Sequence, residues 1–175
     1  MPVIVRMVVL TLAGATAGGW CATSATAETS KSFQVSAVIA NGCSVTTTSS
    51  GTGTWGNIAL GTVSGITTGT VQASLLSGSS AGIQIDCTPG MTANLTADTG
   101  NNAISGVRQL ANGTARIPYL LYANGSSTAW TTQAVALSFP VGTSHMSVPV
   151  VAKATLSSPS TAGAYSDTVR VTLSW

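Results

Sequence analysis

Apolar residues recur at every second position in both end segments of this chain. They are Phe33, Val35, Ala37 and Ile39 near the start, and Val169, Val171, Leu173 and Trp175 up to the final carboxylate. A period of two puts successive side chains on opposite faces of an extended strand, so each segment presents one apolar face. Alternation or short apolar runs recur between them, at 55–61, 71–76, 83–87, 92–97, 117–122, 135–139 and 145–156. Sustained helical periodicity occurs nowhere. Asn112-Gly113 and Asn124-Gly125 are hairpin dipeptides, because type I′ turns need positive φ at both central residues. The run 117–122 is almost continuously apolar and reads as a strand buried on both faces. Pro118 lies near its start, where a missing N–H is best tolerated. Short strands separated by turn chemistry predict an all-β sandwich in a single domain.

Composition narrows the function classes. Charged residues make up 6% of the chain and hydrophobic ones 44%, against about 25% charged in ordinary soluble domains. Such a chain has little like-charge repulsion to keep copies apart. Ser, Thr, Gly and Asn fill the polar positions, which suits strands and tight turns and disfavours helices. The formal net charge of +2 comes from scattered Lys and Arg, so a nucleic-acid partner is not expected.

The first residues read as a targeting segment. Arg6 marks a positive start, Met7 to Ala15 form a short apolar core, and Ala25-Thr26-Ala27 gives the small-x-small pattern that signal peptidase accepts. Residues 1–27 are therefore expected to be a signal peptide, cleaved before Glu28. A membrane anchor is the competing reading, but Gly14, Gly18 and Gly19 weaken the stretch as a spanning helix of ~20 apolar residues. A lipidated Cys21 is disfavoured by bulky Trp20 beside it. With Cys21 lost in the leader, Cys43 and Cys87 remain as an even pair in an exported protein and are expected to form a disulfide. Two buried free thiols or a metal site are the alternatives. His145 is the only histidine and no C-x-x-C occurs, so the metal reading lacks ligands.

Catalytic chemistry is hard to assemble from these residues. Glu28, Asp86, Asp98 and Asp167 are the acids beyond the leader, and no two lie close in sequence. Asp86 and Asp167 read as groups that satisfy backbone at strand ends. His145 reads as a loop or edge histidine without a partner set, because nothing resembles a nucleophile elbow. No phosphate-binding loop, zinc-protease motif or dinucleotide fingerprint is present. The expectation is no catalytic residue, no cofactor and no metal. Trp55, Trp130, Tyr119, Tyr122 and Tyr165 form either a sugar-stacking surface or part of the core. The two end strands are each awkward alone, since an unpaired apolar strand promotes strand addition. Either they pair within one chain, or the N-terminal strand completes a neighbouring subunit.

Taken in order, these pieces resemble a known family. Asn41-Gly42-Cys43 follows the alternating N-terminal segment. Next come Trp55-Gly56-x-Ile58-x-Leu60-Gly61, Ile83-Gln84-Ile85-Asp86-Cys87 and Ile117-Pro118-Tyr119-Leu120-Leu121-Tyr122. Gly163-Ala164-Tyr165-Ser166-Asp167-Thr168-Val169 leads to the closing tryptophan. The chain from Glu28 to Trp175 is similar to the spore coat protein U domain and the archaic, Csu-type pilus subunits of chaperone–usher systems. The resemblance implies an immunoglobulin-like β-sandwich that lacks its final strand and is completed by a donated one. Residues 28–40 are then the donor segment, with Phe33, Val35, Ala37 and Ile39 inserting. Residues 41–175 are the sandwich, with an acceptor groove beside Val169, Val171, Leu173 and Trp175. It also implies the partners: copies of the chain or related subunits, a periplasmic chaperone and an outer-membrane usher. The product is a surface pilus or coat with a role in adhesion or biofilm formation. A monomeric secreted carbohydrate-binding sandwich is the alternative, and a secreted hydrolase a third reading.

Overall fold

The computed structural model describes residues 31–46 and 53–175. The expected signal peptide and Glu28 lie outside them. The chain divides into a unit ending at Val38 and a second from Ile39 to Trp175. In the first, Phe33, Val35 and Val38 are exposed and Lys31–Val38 contains no strand. The alternating pattern there has no ladder partner. A strand pattern needs a second strand to satisfy its backbone, and none pairs with it among the described residues.

The second unit is all β, with no helix among the described residues. Its strands are β1 (Cys43–Thr46), β2 (Gly69–Ser74), β3 (Leu76–Ser77), β4 (Ser80–Ala81), β5 (Ile83–Cys87) and β6 (Met91–Ala97). They continue as β7 (Gln109–Asn112), β8 (Ala115–Ala123), β9 (Val135–Phe139), β10 (His145–Val148), β11 (Val150–Leu156) and β12 (Val171–Ser174). All ladders are antiparallel, in the orders β1-β5-β10, β2-β11-β8-β7 and β12-β6-β9, with β3-β4 as a small hairpin. The expected run 145–156 is two strands, because Pro149 has no N–H to continue the ladder. The hydrogen bond from Leu75 N to Val150 O extends the β2–β11 ladder by one residue, up to that break. At Gly82 (φ +80°) a Cβ would stand 2.5 Å from the Val148 carbonyl oxygen, so only glycine fits where β5 passes this crossing.

One core joins the sheets. Ile83 and Ile85 of β5, Leu95 of β6, Leu137 and Phe139 of β9, and Val148 of β10 are almost fully buried within it. Strand β8 corrects an expectation. Ile117, Tyr119, Leu121 and Ala123 are buried while Arg116, Pro118 and Leu120 are exposed, so β8 is buried on one face only. Pro118 closes the β7 ladder, and the β11 ladder begins at Tyr119. A missing N–H costs least at such a change of partner.

The two turn dipeptides behave differently. Asn124 and Gly125 both have positive φ (54° and 72°), and Ser126 N bonds Ala123 O, as a type I′ turn requires. At the β7–β8 hairpin only Gly113 is positive (58°), and Asn112 pairs with Ala115. The central pair is therefore Gly113-Thr114, one residue later than the dipeptide suggested.

Arg108, unremarkable in sequence, is buried. Its guanidinium donates to the carbonyls of Asp98 (2.5 Å), Trp130 (2.5 Å) and Thr131 (3.0 Å), tying two loops together. Burial lowers its pKa, opposed by Tyr119, Asp98 and Asp167. Tyr119 donates to Asp167 Oδ2 at 2.7 Å, and burial, then that bond, raises the phenol far above its ordinary range. Asp167 also accepts from the Asn102 backbone N–H at 3.1 Å, in keeping with its expected role at a strand end.

Candidate functional site: an open edge of the sandwich

Two edge strands lie on the same side of this unit. β10 ends one sheet and β9 ends another, and the short run 140–144 joins them, so those edges are neighbours. The opposite edges are β1 and β12. Each pairs on one side only: β1 with β5 from Cys43↔Cys87 to Thr46↔Gln84, and β12 with β6 from Val171↔Ala97 to Ser174↔Asn94. An edge strand presents backbone N–H and C=O groups that can still accept a partner.

The side chains at these edges are apolar and incompletely covered. Val45 of β1 and Val169, Val171 and Leu173 pack against the core yet stay half-buried, and Trp175 is 60% exposed. Val171 and Leu173 alternate inward with outward Thr172 and Ser174. Val169 lies before β12, not within it. There the chain is held to the 98–101 loop by Asp98 N to Arg170 O, Arg170 N to Asp98 Oδ1 and Asn101 N to Thr168 O. An Asp side chain replaces a ladder partner, which is why the regular strand starts later than 168.

Cys43 and Cys87 are joined by a disulfide, and they are register partners of the β1–β5 ladder. The pair therefore anchors the start of an edge strand to an inner one. Val45, two residues on, was not singled out in the sequence. Its only signal is the brief alternation Cys43-Ser44-Val45, too short to stand out.

His145 has a partner after all. Its Nδ1 lies 2.7 Å from Asp86 Oδ1, and Thr46 Oγ1 donates to Asp86 Oδ2 at 2.5 Å. One carboxylate thus clips β1, β5 and β10 on their outer face, a use of Asp86 different from the expected bond to backbone. The Thr46 hydroxyl first, and then His145, hold Asp86 below the usual carboxylate range. Both members of this hydrogen-bonded pair are largely exposed, so the contact contributes little. Because the folded pKa is depressed, the contribution is present above the unfolded value near ~3.9 and is lost as pH falls through the folded value. Asp86→Asn is expected to lower Tm by no more than a few degrees at pH 6, with the difference closing as pH drops below about 4. Melts at pH 6 and pH 2.5 check this expectation, and a pH-independent difference would contradict it.

Among the described residues no group of three or more His, Cys, Asp or Glu could hold a metal ion, and no helix is long and apolar enough to cross a membrane. Of the five aromatics considered for sugar stacking, Trp130 and Tyr119 are core, while Trp55, Tyr122 and Tyr165 are half-buried.

The fold and its edges define a disulfide-stapled, all-β domain whose β1 and β12 edges carry half-covered apolar side chains. The chain belongs to the Spore Coat Protein U domain family, whose model matches residues 29–172. No curated protein matches it. Among solved structures it is similar to a chain in the pre-assembly complex of the chaperone CsuC with the tip adhesion subunit CsuE, from the archaic chaperone–usher Csu pili of Acinetobacter baumannii. The likeness has 16% identity and a TM-score of 0.49, and it covers 78% of this chain and 40% of that one. The chain thus spans less than half the length of that solved chain.

Proposed function

We propose that this chain is a structural subunit of a chaperone–usher assembled pilus or coat, polymerising by strand donation. The observation that carries the reading is the pair of edge strands, β1 and β12, which leave half-covered apolar side chains on one side of the domain. A strand added there forms main-chain hydrogen bonds and fills the gaps between Val45, Val169, Val171 and Leu173 with alternate side chains. Residues 28–40 have the matching pattern, and Phe33, Val35 and Ile39 are exposed. Each inserted side chain that buries ~100 Å² contributes about 2.5 kcal/mol, and the set of them several kcal/mol per junction. Because the donor and acceptor surfaces differ, head-to-tail donation does not close and generates a fibre.

Before assembly the open side needs a temporary cover. A periplasmic chaperone supplies it in this reading, and an outer-membrane usher directs the exchange for the next subunit's donor. The domain division that follows is a leader at 1–27, a donor segment at 28–40 and an incomplete immunoglobulin-like sandwich at 41–175. Deleting residues 28–39 is expected to leave a folded, chaperone-bound subunit that cannot extend a fibre. Electron microscopy of surface fibres, with a periplasmic fold assay, tests this. Normal fibres from the deleted chain would sink the proposal.

A further inference from the structure

Lys153 is half-buried and has no carboxylate partner among the described residues. All three described Asp side chains are engaged elsewhere: Asp86 with His145 and Thr46, Asp98 with the Gly100 and Arg170 backbone, and Asp167 with Tyr119 and Asn102. The Lys153 ammonium is instead held 4.7 Å from the centroid of the Tyr122 ring. Ladder register explains the placement. Lys153 stands opposite Gln72 of β2 on one side and Leu120 of β8 on the other, with Tyr122 one outward position along β8.

A concavity of about 370 Å³ opens at this point, bordered by Gln72, Tyr122, Ser126, Ser127, Pro149 and Lys153. Its volume falls at the low end of ordinary ligand sites. The type I′ turn at Asn124-Gly125 places Ser126 and Ser127 at its rim. The groups are one cation, one side-chain amide, the Ser127 hydroxyl and an apolar surface from Pro149 and the tyrosine, while the Ser126 hydroxyl is bonded to the Thr128 backbone. A cation steered by an aromatic ring suits an anionic oxygen pair. Amide and hydroxyl suit a polyhydroxylated ring, whose C–H face packs on the apolar part.

We propose that this pocket binds a carboxylated saccharide, with Lys153 on the carboxylate and Gln72 and Ser127 on the hydroxyls. It stands apart from strand donation, since it lies on the β2-β11-β8-β7 sheet and the open edges belong to other sheets. The test is calorimetric titration of the folded full chain with trigalacturonate, galactotriose, triglutamate and inorganic phosphate. Trigalacturonate is expected to bind, about tenfold or more tighter than each of the other three, and more weakly as salt rises. Lys153→Gln is expected to weaken trigalacturonate by about tenfold or more while galactotriose is unchanged. Lys153→Arg is expected to recover most of the loss, because it keeps the charge. Absence of trigalacturonate binding overturns the proposal, as does equal binding of galactotriose. Equal binding of triglutamate or phosphate overturns it too, by reducing the pocket to an unspecific anion site. Full affinity in Lys153→Gln would remove the residue from the site.

Discussion

Val35→Asp is expected to abolish polymerisation while the subunit's own fold survives. Val35 is exposed and outside any strand, so a carboxylate there costs the isolated subunit nothing in burial. Inserted into an apolar groove, the same carboxylate must either stay charged without a partner or take up a proton. Protonating an aspartate of ordinary pKa at pH 7 costs ~4 kcal/mol. The lost burial of the valine adds about 2 kcal/mol. Together these exceed the factor of a thousand in junction stability, since ~4 kcal/mol already corresponds to that. Val35→Ala removes only the burial and is expected to shorten fibres without eliminating them. Electron microscopy of fibres, paired with circular dichroism of chaperone-bound subunit, separates the outcomes. A Val35→Asp chain that unfolds as a monomer would place the segment in its own sandwich instead.

How far the sequence could be read depends on whether a strand carries its own pattern. β5 and β9 were legible to the residue, at Ile83–Cys87 and Val135–Phe139, because each alternates and is bounded by turn residues. β1 and β7 were not. β1 is four residues, and β7 has Leu110 as its single large apolar side chain, so both are strands because of their neighbours. The run 55–61 erred in the other direction. It has strand-like residues but makes only the bridge Asn57↔Leu76. A Cβ at Gly56 would lie 2.6 Å from the Leu76 carbonyl oxygen, so the backbones approach too closely there for another residue.

Side-chain contacts between distant strands were the least legible. His145 and Asp86 are 59 residues apart and meet only because β10 and β5 pair in the register His145↔Asp86. Arg108 is a similar case. Its buried charge is set by loop carbonyls from two separate segments, which no local pattern announces. The half-buried apolar residues of the β1 and β12 edges divide along the same line. Val171 and Leu173 could be chosen from alternation alone, whereas Val45 required the β1–β5 ladder.

Cys43→Ser is expected to cost the folded subunit ~4 kcal/mol, which the chain-entropy model assigns to a loop of this size. The bond spans a sequence separation of 44. That cost is a large share of the ~5–15 kcal/mol by which ordinary domains are stable. The consequence is sharper here because of where the bond sits. β1 has a ladder on one side only, and beyond its four register pairs it is tied by Thr88 N to Gly42 O at 3.0 Å and Gly42 N to Thr88 Oγ1 at 3.1 Å. Without the covalent tie the strand frays from β5, and Val45 leaves the side of the domain on which donation is proposed. The β6–β9 and β8–β11 ladders do not include β1 and should persist. The expected result is therefore a lower yield of exported subunit, a lower urea midpoint and weaker capture of a donor peptide spanning residues 28–40. Urea titration of the chaperone-released protein and peptide binding measure the last two. Cys87→Ser should behave alike, since either change leaves the same bond unmade. Two free thiols on native exported material, seen by non-reducing mass spectrometry, or an unchanged urea midpoint, would show that β1 is held by its ladder alone.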